Sequence, residues 1–355
     1  MSLNQLPALR ALSGPVLVTG HSGFKGTWLT LLLEKLGIEV VGFSLSPEKD
    51  SLFDRASRTG AISEVFADIR DYKRLNSYIN SVKPSTIIHM AAQPLVLESY
   101  RLPKDTFDVN VMGTVNVLDS AFNTDSVHAV VVVTTDKVYR NDNSGRAFIE
   151  SDPLEGKDPY SASKVGTEAV VAAWQQIQRT SGGPKVVAVR AGNVIGGGDW
   201  GDNRLLPDLI RSFSSGQKMA VRNPASTRPW QHVLDPLTGY ISTLEAVLNG
   251  EKITSINFGP DTKSIAVSEV VEVAVKTWGL STNIELGSSV QNNAAEAVSL
   301  DLNPDYAKQS LGWKPFWSQE EAVISTVQWW NKVLTQRVKP VDACLDDLSQ
   351  ILSQK

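Results

Sequence analysis

The chain has 355 residues, enough for one large domain with a smaller lobe and ample volume for a packed core. Its 34 basic and 38 acidic residues leave a net charge of -4, and no Lys/Arg-rich block stands out, which argues against a nucleic-acid partner. The single cysteine, Cys344, rules out a disulfide within the chain and a thiolate metal cage, and it fits the cytoplasm; Met1 to Gly14 lacks a signal peptide's apolar run, and no stretch approaches the roughly 18 apolar residues that span a bilayer.

Pro15 to Thr19 is a short β-branched run ending at Gly20, and Phe24, Trp28, Leu31, Leu32 and Leu36 then share one helical face. This reads as strand, glycine turn, helix. Gly37 ends the helix and Ile38 to Phe43 forms a second strand, completing a βαβ unit. Further strands are expected at Ser63–Ala67, Thr86–His89, His128–Thr134 and Lys185–Arg190, with helices at Tyr72–Val82, Val109–Phe122 and Tyr160–Arg179. Such alternation predicts an α/β fold, a doubly wound parallel sheet covered on both faces. After Ala191 the texture changes: Gly196 to Asn203 is turn chemistry throughout, and Pro207, Pro224, Pro229 and Pro236 punctuate shorter segments. The expected division is 1–191 for the main nucleotide-binding part, with some later segments returning to it, 192–335 for a smaller C-terminal α/β substrate-binding lobe, and 336–355 for a tail that forms a peripheral helix.

Gly20, Gly23 and Gly26 lie where a dinucleotide fingerprint belongs, although the spacing is GxxGxxG rather than GxGxxG. Alone, the pattern also fits an ordinary tight turn; its place between a buried strand and an amphipathic helix favours a pyrophosphate at the helix start, beside Phe24. Lys25 either adds charge beside the phosphates or is a solvated surface lysine. The acidic residue that usually marks NAD at the end of the second strand is replaced by Phe43-Ser44-Leu45-Ser46, and no arginine there favours a 2′-phosphate. NAD is therefore the expected cofactor, with Ser44 at the ribose position. Asp68 and Ile69 are placed to meet the adenine, the carboxylate accepting from its amino group and the isoleucine packing on the ring, or else Asp68 caps the next helix. Ala91-Ala92-Gln93 supplies small residues where a cofactor needs room.

Tyr160 and Lys164, four residues apart, share a helical face, so the ammonium can draw the phenol's pKa from about 10 toward neutrality, where a phenolate is a useful base. Thr135 lies at the carboxyl edge of the sheet, where open α/β folds bind ligands. Asp136 and Lys137 follow it. As a surface ion pair they would contribute little; beside a cofactor and a tyrosine base they are candidates for acid/base work on a second carbon. His21, His89, His128 and His232 form no metal set, and no metal is expected. Asn193, Arg204, Arg222 and Arg228 are polar groups of the second lobe, and arginine suits bidentate binding of a diphosphate.

Together these features resemble the extended short-chain dehydrogenase/reductase superfamily, over roughly residues 15 to 335. Thr135-Asp136-Lys137 is similar to the active segment of sugar-nucleotide 4,6-dehydratases, although relatives acting on dTDP-glucose and GDP-mannose carry glutamate in place of Lys137. The strings Gly20 to Trp28, Ala92 to Val96, Gly198-Asp199-Trp200, Asn203 to Asp208 and Arg228 to Val233 resemble the CDP-glucose 4,6-dehydratases. The resemblance implies a Rossmann-type fold, bound NAD and a nucleotide-sugar substrate, CDP-glucose.

By the family mechanism Tyr160, helped by Thr135 and Lys164, takes the C4 hydroxyl proton while hydride passes from C4 to NAD. Asp136 is then the acid at the C6 oxygen and Lys137 the base or relay at C5 as water leaves, and hydride returns to C6. Asn193 and Arg228 match positions that hold the diphosphate, and Arg204 and Leu205 lie where the nucleotide is expected. A homodimer or higher homo-oligomer through the helices at Val109–Phe122 and Tyr160–Arg179 is also implied, as is a role in deoxysugar and surface polysaccharide (lipopolysaccharide) biosynthesis. The alternatives are an inverting 4,6-dehydratase or 4-epimerase on another nucleotide sugar, and a non-catalytic nucleotide-sensing protein; the intact Tyr160 and Lys164 count against the last.

Overall fold

Seven short β-branched runs form the centre of the computed structural model, which describes residues 5–142, 144–221, 223–279, 284–287 and 300–353. They are β1 (Val16–Thr19), β2 (Val40–Ser44), β3 (Ser63–Phe66), β4 (Thr86–His89), β5 (Ala129–Val133), β6 (Lys185–Ala191) and β7 (Ser255–Phe258). All pair in parallel, in the order β7-β6-β5-β4-β1-β2-β3. The order reverses between β1 and β4, and ligands of open α/β sheets bind at the carboxyl side of such a switch point.

Burial on both faces explains why the central runs, such as Ala129–Val133, are apolar almost without interruption, whereas the edge strand β3 is half-exposed. Ala129 and Val131 point into one core while Val130 and Val132 point into the other. Helices α1 (Phe24–Lys35) and, later in the chain, α6 (Leu234–Leu248) cover the first face; α2 (Tyr72–Val82), α3 (Gly113–Phe122) and α4 (Pro159–Ser181) cover the second. Helix α4 starts one residue earlier than its apolar pattern suggests. Pro159 occupies the first helical position, and Asp158 closes a capping box with Ser161, an arrangement that stabilises a helix start by about 1 kcal/mol.

The helix expected over Val109–Phe122 is a composite. Pro103–Phe107 is α-helical, Asp108–Met112 is a π-helical turn, and α3 follows. Asn110 within the wide turn donates to Ser163 Oγ at 2.8 Å, which ties the segment to α4.

Beyond Ala191 the chain builds small pairings around α5 (Leu205–Ser215): Met219–Val221 with Ile284–Leu286, and Thr227–Arg228 with Ile265–Ala266. It also returns to the main sheet, since β7 adds to β6 and Leu237, Tyr240 and Ile241 of α6 pack in the first core. The C-terminal segment is less peripheral than its composition suggests. After α7 (Gln319–Leu334), helix α8 (Pro340–Leu352) buries Ala343, Cys344 and Leu348 in the same core. Among the described residues no helix is long and apolar enough to cross a membrane, and no group of histidine, cysteine and carboxylate side chains has metal-site geometry.

Candidate active site

The glycine turn between β1 and α1 is shaped by three different steric demands. Gly20 has a positive φ of 75°, and a Cβ there would stand 2.8 Å from the Ala91 nitrogen; on Gly26 it would lie 2.1 Å from the Gly20 carbonyl oxygen. Those two glycines let the turn close. Gly23 differs, because its Cβ would touch only the Gly20 oxygen at 3.4 Å. It is the N-cap of α1 and supplies no side-chain acceptor, so the first-turn amides are left for an anion. The loop therefore fits a dinucleotide pyrophosphate.

Around the loop, Ser44 and Ser22 bring their hydroxyls to 2.5 Å and converge on the Leu45 carbonyl. His21 is fully buried, stacked on Phe66, with Nε2 2.8 Å from Glu64; burial holds its pKa below the usual value. Gly42 makes that seat, since a Cβ there would enter the imidazole ring. Asp68 binds Arg70, whose guanidinium holds the carboxyl below its usual range, and Asp71 rather than Asp68 caps α2. Ile69 is buried in the second core, its side chain lying against Gly113. Ala91 and Ala92 are half-buried, and Gln93 is fixed by Asn110 and Thr106.

Lys25 is not a solvated lysine. Its Nζ donates to Tyr240 Oη at 2.8 Å, and burial, with Lys164 nearby, draws its pKa down to about 7. Tyr240 lies on α6 within a periodic apolar pattern, so only its hydroxyl sets it apart from core residues in the sequence.

The two motifs separated in the chain meet at the carboxyl end of β5. Thr135 Oγ1 donates to Asp136 Oδ1 at 2.9 Å, and the Lys137 Nζ stands 5.9 Å from the centre of the Tyr160 ring. Asp136 is buried while Lys137 is exposed. Burial raises the Asp136 carboxyl above its usual range, opposed by Lys137, Thr135 and Arg228, and this favours a protonated acid. Lys164 donates to the Val133 carbonyl at 3.1 Å, and burial lowers its pKa to about 8.

The expectation of a lowered Tyr160 pKa is not met by the protein alone. Burial pushes the phenol up to about 12, even though Thr135 hydrogen-bonds it and Arg204 lies near enough to oppose the shift. The chain supplies a dry slot, and a positively charged nicotinamide would have to supply the remaining stabilisation of a phenolate. Ser99, which the sequence did not single out, fixes the start of α4 by accepting from the Tyr160 amide at 3.1 Å.

The second lobe brings polar groups to the same edge. Arg228 and Arg204 are close enough to influence Asp136 and Tyr160 respectively. Arg204 binds both carboxylate oxygens of Asp199, at 2.9 and 3.0 Å, and Leu205 opens α5 directly after it. The Asn193 carbonyl accepts from the Gln231 amide at 3.0 Å, leaving its side chain for other partners. Arg222 lies outside the described residues.

Residues 16–259 match the model of the NAD dependent epimerase/dehydratase family. The chain belongs to that family. It is 41% identical over 323 residues to a CDP-glucose 4,6-dehydratase of Salmonella typhimurium, covering 88% of this chain and 89% of that protein. A UDP-glucose 4-epimerase of Halalkalibacterium halodurans is 26% identical over 337 residues, covering 89% and 95%. Among solved structures, the dTDP-glucose 4,6-dehydratase DesIV of Streptomyces venezuelae, with NAD and TYD bound, aligns with a TM-score of 0.76 at 24% identity, over 92% of this chain and 99% of that one. The chain is thus an NAD-dependent epimerase/dehydratase family enzyme with the short-chain dehydrogenase fold.

Proposed function

We propose that this protein is a lyase converting CDP-glucose to CDP-4-dehydro-6-deoxyglucose. The observation that carries the reading is the approach of Lys137 to the Tyr160 ring with protonation-prone Asp136 beside it. A 4-epimerase needs only a base and a hydride carrier at C4. Two further acid/base groups at the same cleft match a reaction that also breaks bonds at C5 and C6. The 41% identity to a protein named for CDP-glucose dehydration supports the same choice of nucleotide.

NAD, when bound, would supply a hydride acceptor for C4 and a hydride donor for C6. Gly20, Gly23 and Gly26 would hold its pyrophosphate with Phe24 at the helix start; Ser44, Asp68 and Ile69 would lie on the adenosine side; Ala91, Ala92 and Gln93 would flank it; Tyr160 and Lys164 would meet the nicotinamide half. On the sugar side, Tyr160 takes the C4 hydroxyl proton and Thr135 orients that hydroxyl. The resulting ketone acidifies the C5 proton, which Lys137 takes once it has itself lost a proton. Asp136 protonates the C6 oxygen, so the C6–O bond breaks and water leaves, and Lys137 gives its proton back to C5 as C6 is reduced. Asn193 and Arg228 would hold the diphosphate, and Arg204 with Leu205 the nucleoside.

The wider setting we infer is the cytoplasm, a homodimer or higher homo-oligomer, and deoxysugar supply for surface polysaccharide. The same reading divides the chain into a cofactor-binding part over 1–191, a sugar-nucleotide lobe over 192–335 and a tail. Incubation with CDP-glucose, dTDP-glucose, GDP-mannose and UDP-N-acetylglucosamine in separate reactions, followed by mass analysis, tests the reaction. Loss of water from CDP-glucose alone is expected. A mass-neutral change would establish epimerisation instead, and no turnover of any of the four would overturn the proposal.

A further inference from the structure

Behind the reaction centre lies a charged pair that the mechanism does not use. Glu168 and Arg190 are both almost fully buried, and the guanidinium grips the carboxylate with two parallel bonds of 2.8 Å, Nε to Oε1 and Nη2 to Oε2. Removing two charges from water is costly enough that a buried pair is weak evidence for stability. The neighbours of this pair give it a different significance.

Thr134 donates to Glu168 Oε1 at 2.6 Å, while Arg190 Nη1 donates at 2.7 Å to Tyr139 Oη, which in turn donates to Asn257 Oδ1 at 2.8 Å. Thr134 and Tyr139 flank the 3₁₀ turn that begins after Thr135 and carries Asp136 and Lys137. Glu168 sits on α4, one helical turn beyond Lys164 and on the same face as Tyr160. The pair thus joins both ends of the Asp136–Lys137 turn to the helix that carries the tyrosine and lysine, and Phe148 stacks on Tyr139 at 5.0 Å to close the far side.

We propose that Glu168 and Arg190 form a positioning unit that sets the Asp136–Lys137 turn against Tyr160, and that dehydration depends on it more than oxidation at C4 does. This rests on the reaction proposed above. Oxidation draws on Tyr160 and Lys164, which the helix itself holds in register, and takes only Thr135 from the loop; elimination of water needs Asp136 and Lys137, both carried by that loop, whose placement over the sugar depends on its two anchors. A misplacement of about 1 Å costs on the order of 100-fold in rate.

The test uses the full chain with its NAD and two changes: Glu168→Gln, which keeps the volume, and the double change Glu168→Leu with Arg190→Met, which removes both charges together. Expected for both is a fall in kcat of about 10- to 100-fold with KM within about twofold, NAD content unchanged. Rapid quenching of a single turnover should then reveal a CDP-sugar that has lost two hydrogens but retains its C6 oxygen, formed faster than it is dehydrated. Wild-type kcat in both variants would overturn the proposal, as would activity lost only in step with melting temperature or substrate binding. The unaltered chain in the same assay separates the two ideas. Its failure to turn over CDP-glucose would overturn the reaction itself, whereas turnover there and in both variants alike would overturn only the positioning role.

Discussion

Lys137 Nζ and the Tyr160 ring lie 5.9 Å apart, from a 3₁₀ turn and a helix that pack directly against each other at the carboxyl end of β5, where Lys164 ties α4 to the Val133 carbonyl. The relationship separates two halves of a reaction. Replacing Lys137 by Met keeps the length and packing of the side chain and removes its amine. Dehydration of CDP-glucose is expected to fall by about 100-fold or more, the range of general acid/base catalysis, while C4 oxidation falls far less. Quenched single turnovers resolved by mass measure both steps; equal loss of the two would show that Lys137 serves C4 rather than C5.

Tyr160→Phe removes one hydroxyl from a slot that is otherwise filled. The ring is buried and the backbone amide keeps its bond to Ser99, so folding and binding should hold. Turnover should drop by at least about 100-fold with KM little changed, as expected when an interaction exists only in the transition state. Steady-state kinetics with a melting curve on the same sample checks this.

Gly26→Ala tests the cofactor loop. A Cβ at that position would lie 2.1 Å from the Gly20 carbonyl oxygen and 2.6 Å from the His21 Cα, both backbone atoms that cannot step aside. The turn must open, so the variant should purify with little bound NAD and melt at lower temperature. Gly23→Ala meets only one contact, at 3.4 Å, and should cost the fold much less while still crowding a pyrophosphate. NAD content by absorbance, read beside the melting temperature, distinguishes the two positions.

Much of this arrangement is legible in the sequence because period and spacing carry it. Runs such as Ala129–Val133 are apolar on both faces only if a sheet is covered twice, and the four-residue step from Tyr160 to Lys164 defines a helical face. What escaped were partnerships between residues far apart in the chain. Tyr240 reads as core until its hydroxyl is found on Lys25, and the pairing of Glu64 with His21 depends on the room that Gly42 leaves for the imidazole. The capping role offered to Asp68 belongs to Asp71, because Arg70 already holds the Asp68 carboxylate. Glu168 and Arg190 carry no local pattern at all; their meaning lies in where a strand and a helix bring them together.

Lys164 gives the last prediction, in which stability and activity move in opposite directions. Burial lowers its pKa from the ordinary 10.5 to about 8, so between those values the unfolded chain binds more protons than the folded one. Stability therefore rises with pH across that window, and below about 8 the full cost of burying the ammonium is present. Lys164→Met removes the charge and keeps the packing, at the loss of one hydrogen bond to the Val133 carbonyl. At pH 7 the variant should be more stable than the parent by about 2 kcal/mol, with the gap closing as the pH approaches 10.5. Turnover should fall sharply, since the ammonium on the same helical face is gone and only Thr135, Arg204 and bound NAD are left to favour ionisation of a phenol that burial holds near 12. Denaturant unfolding at a series of pH values measures the gap; a variant less stable than the parent at pH 7 would mean that the ammonium is better solvated than its burial implies.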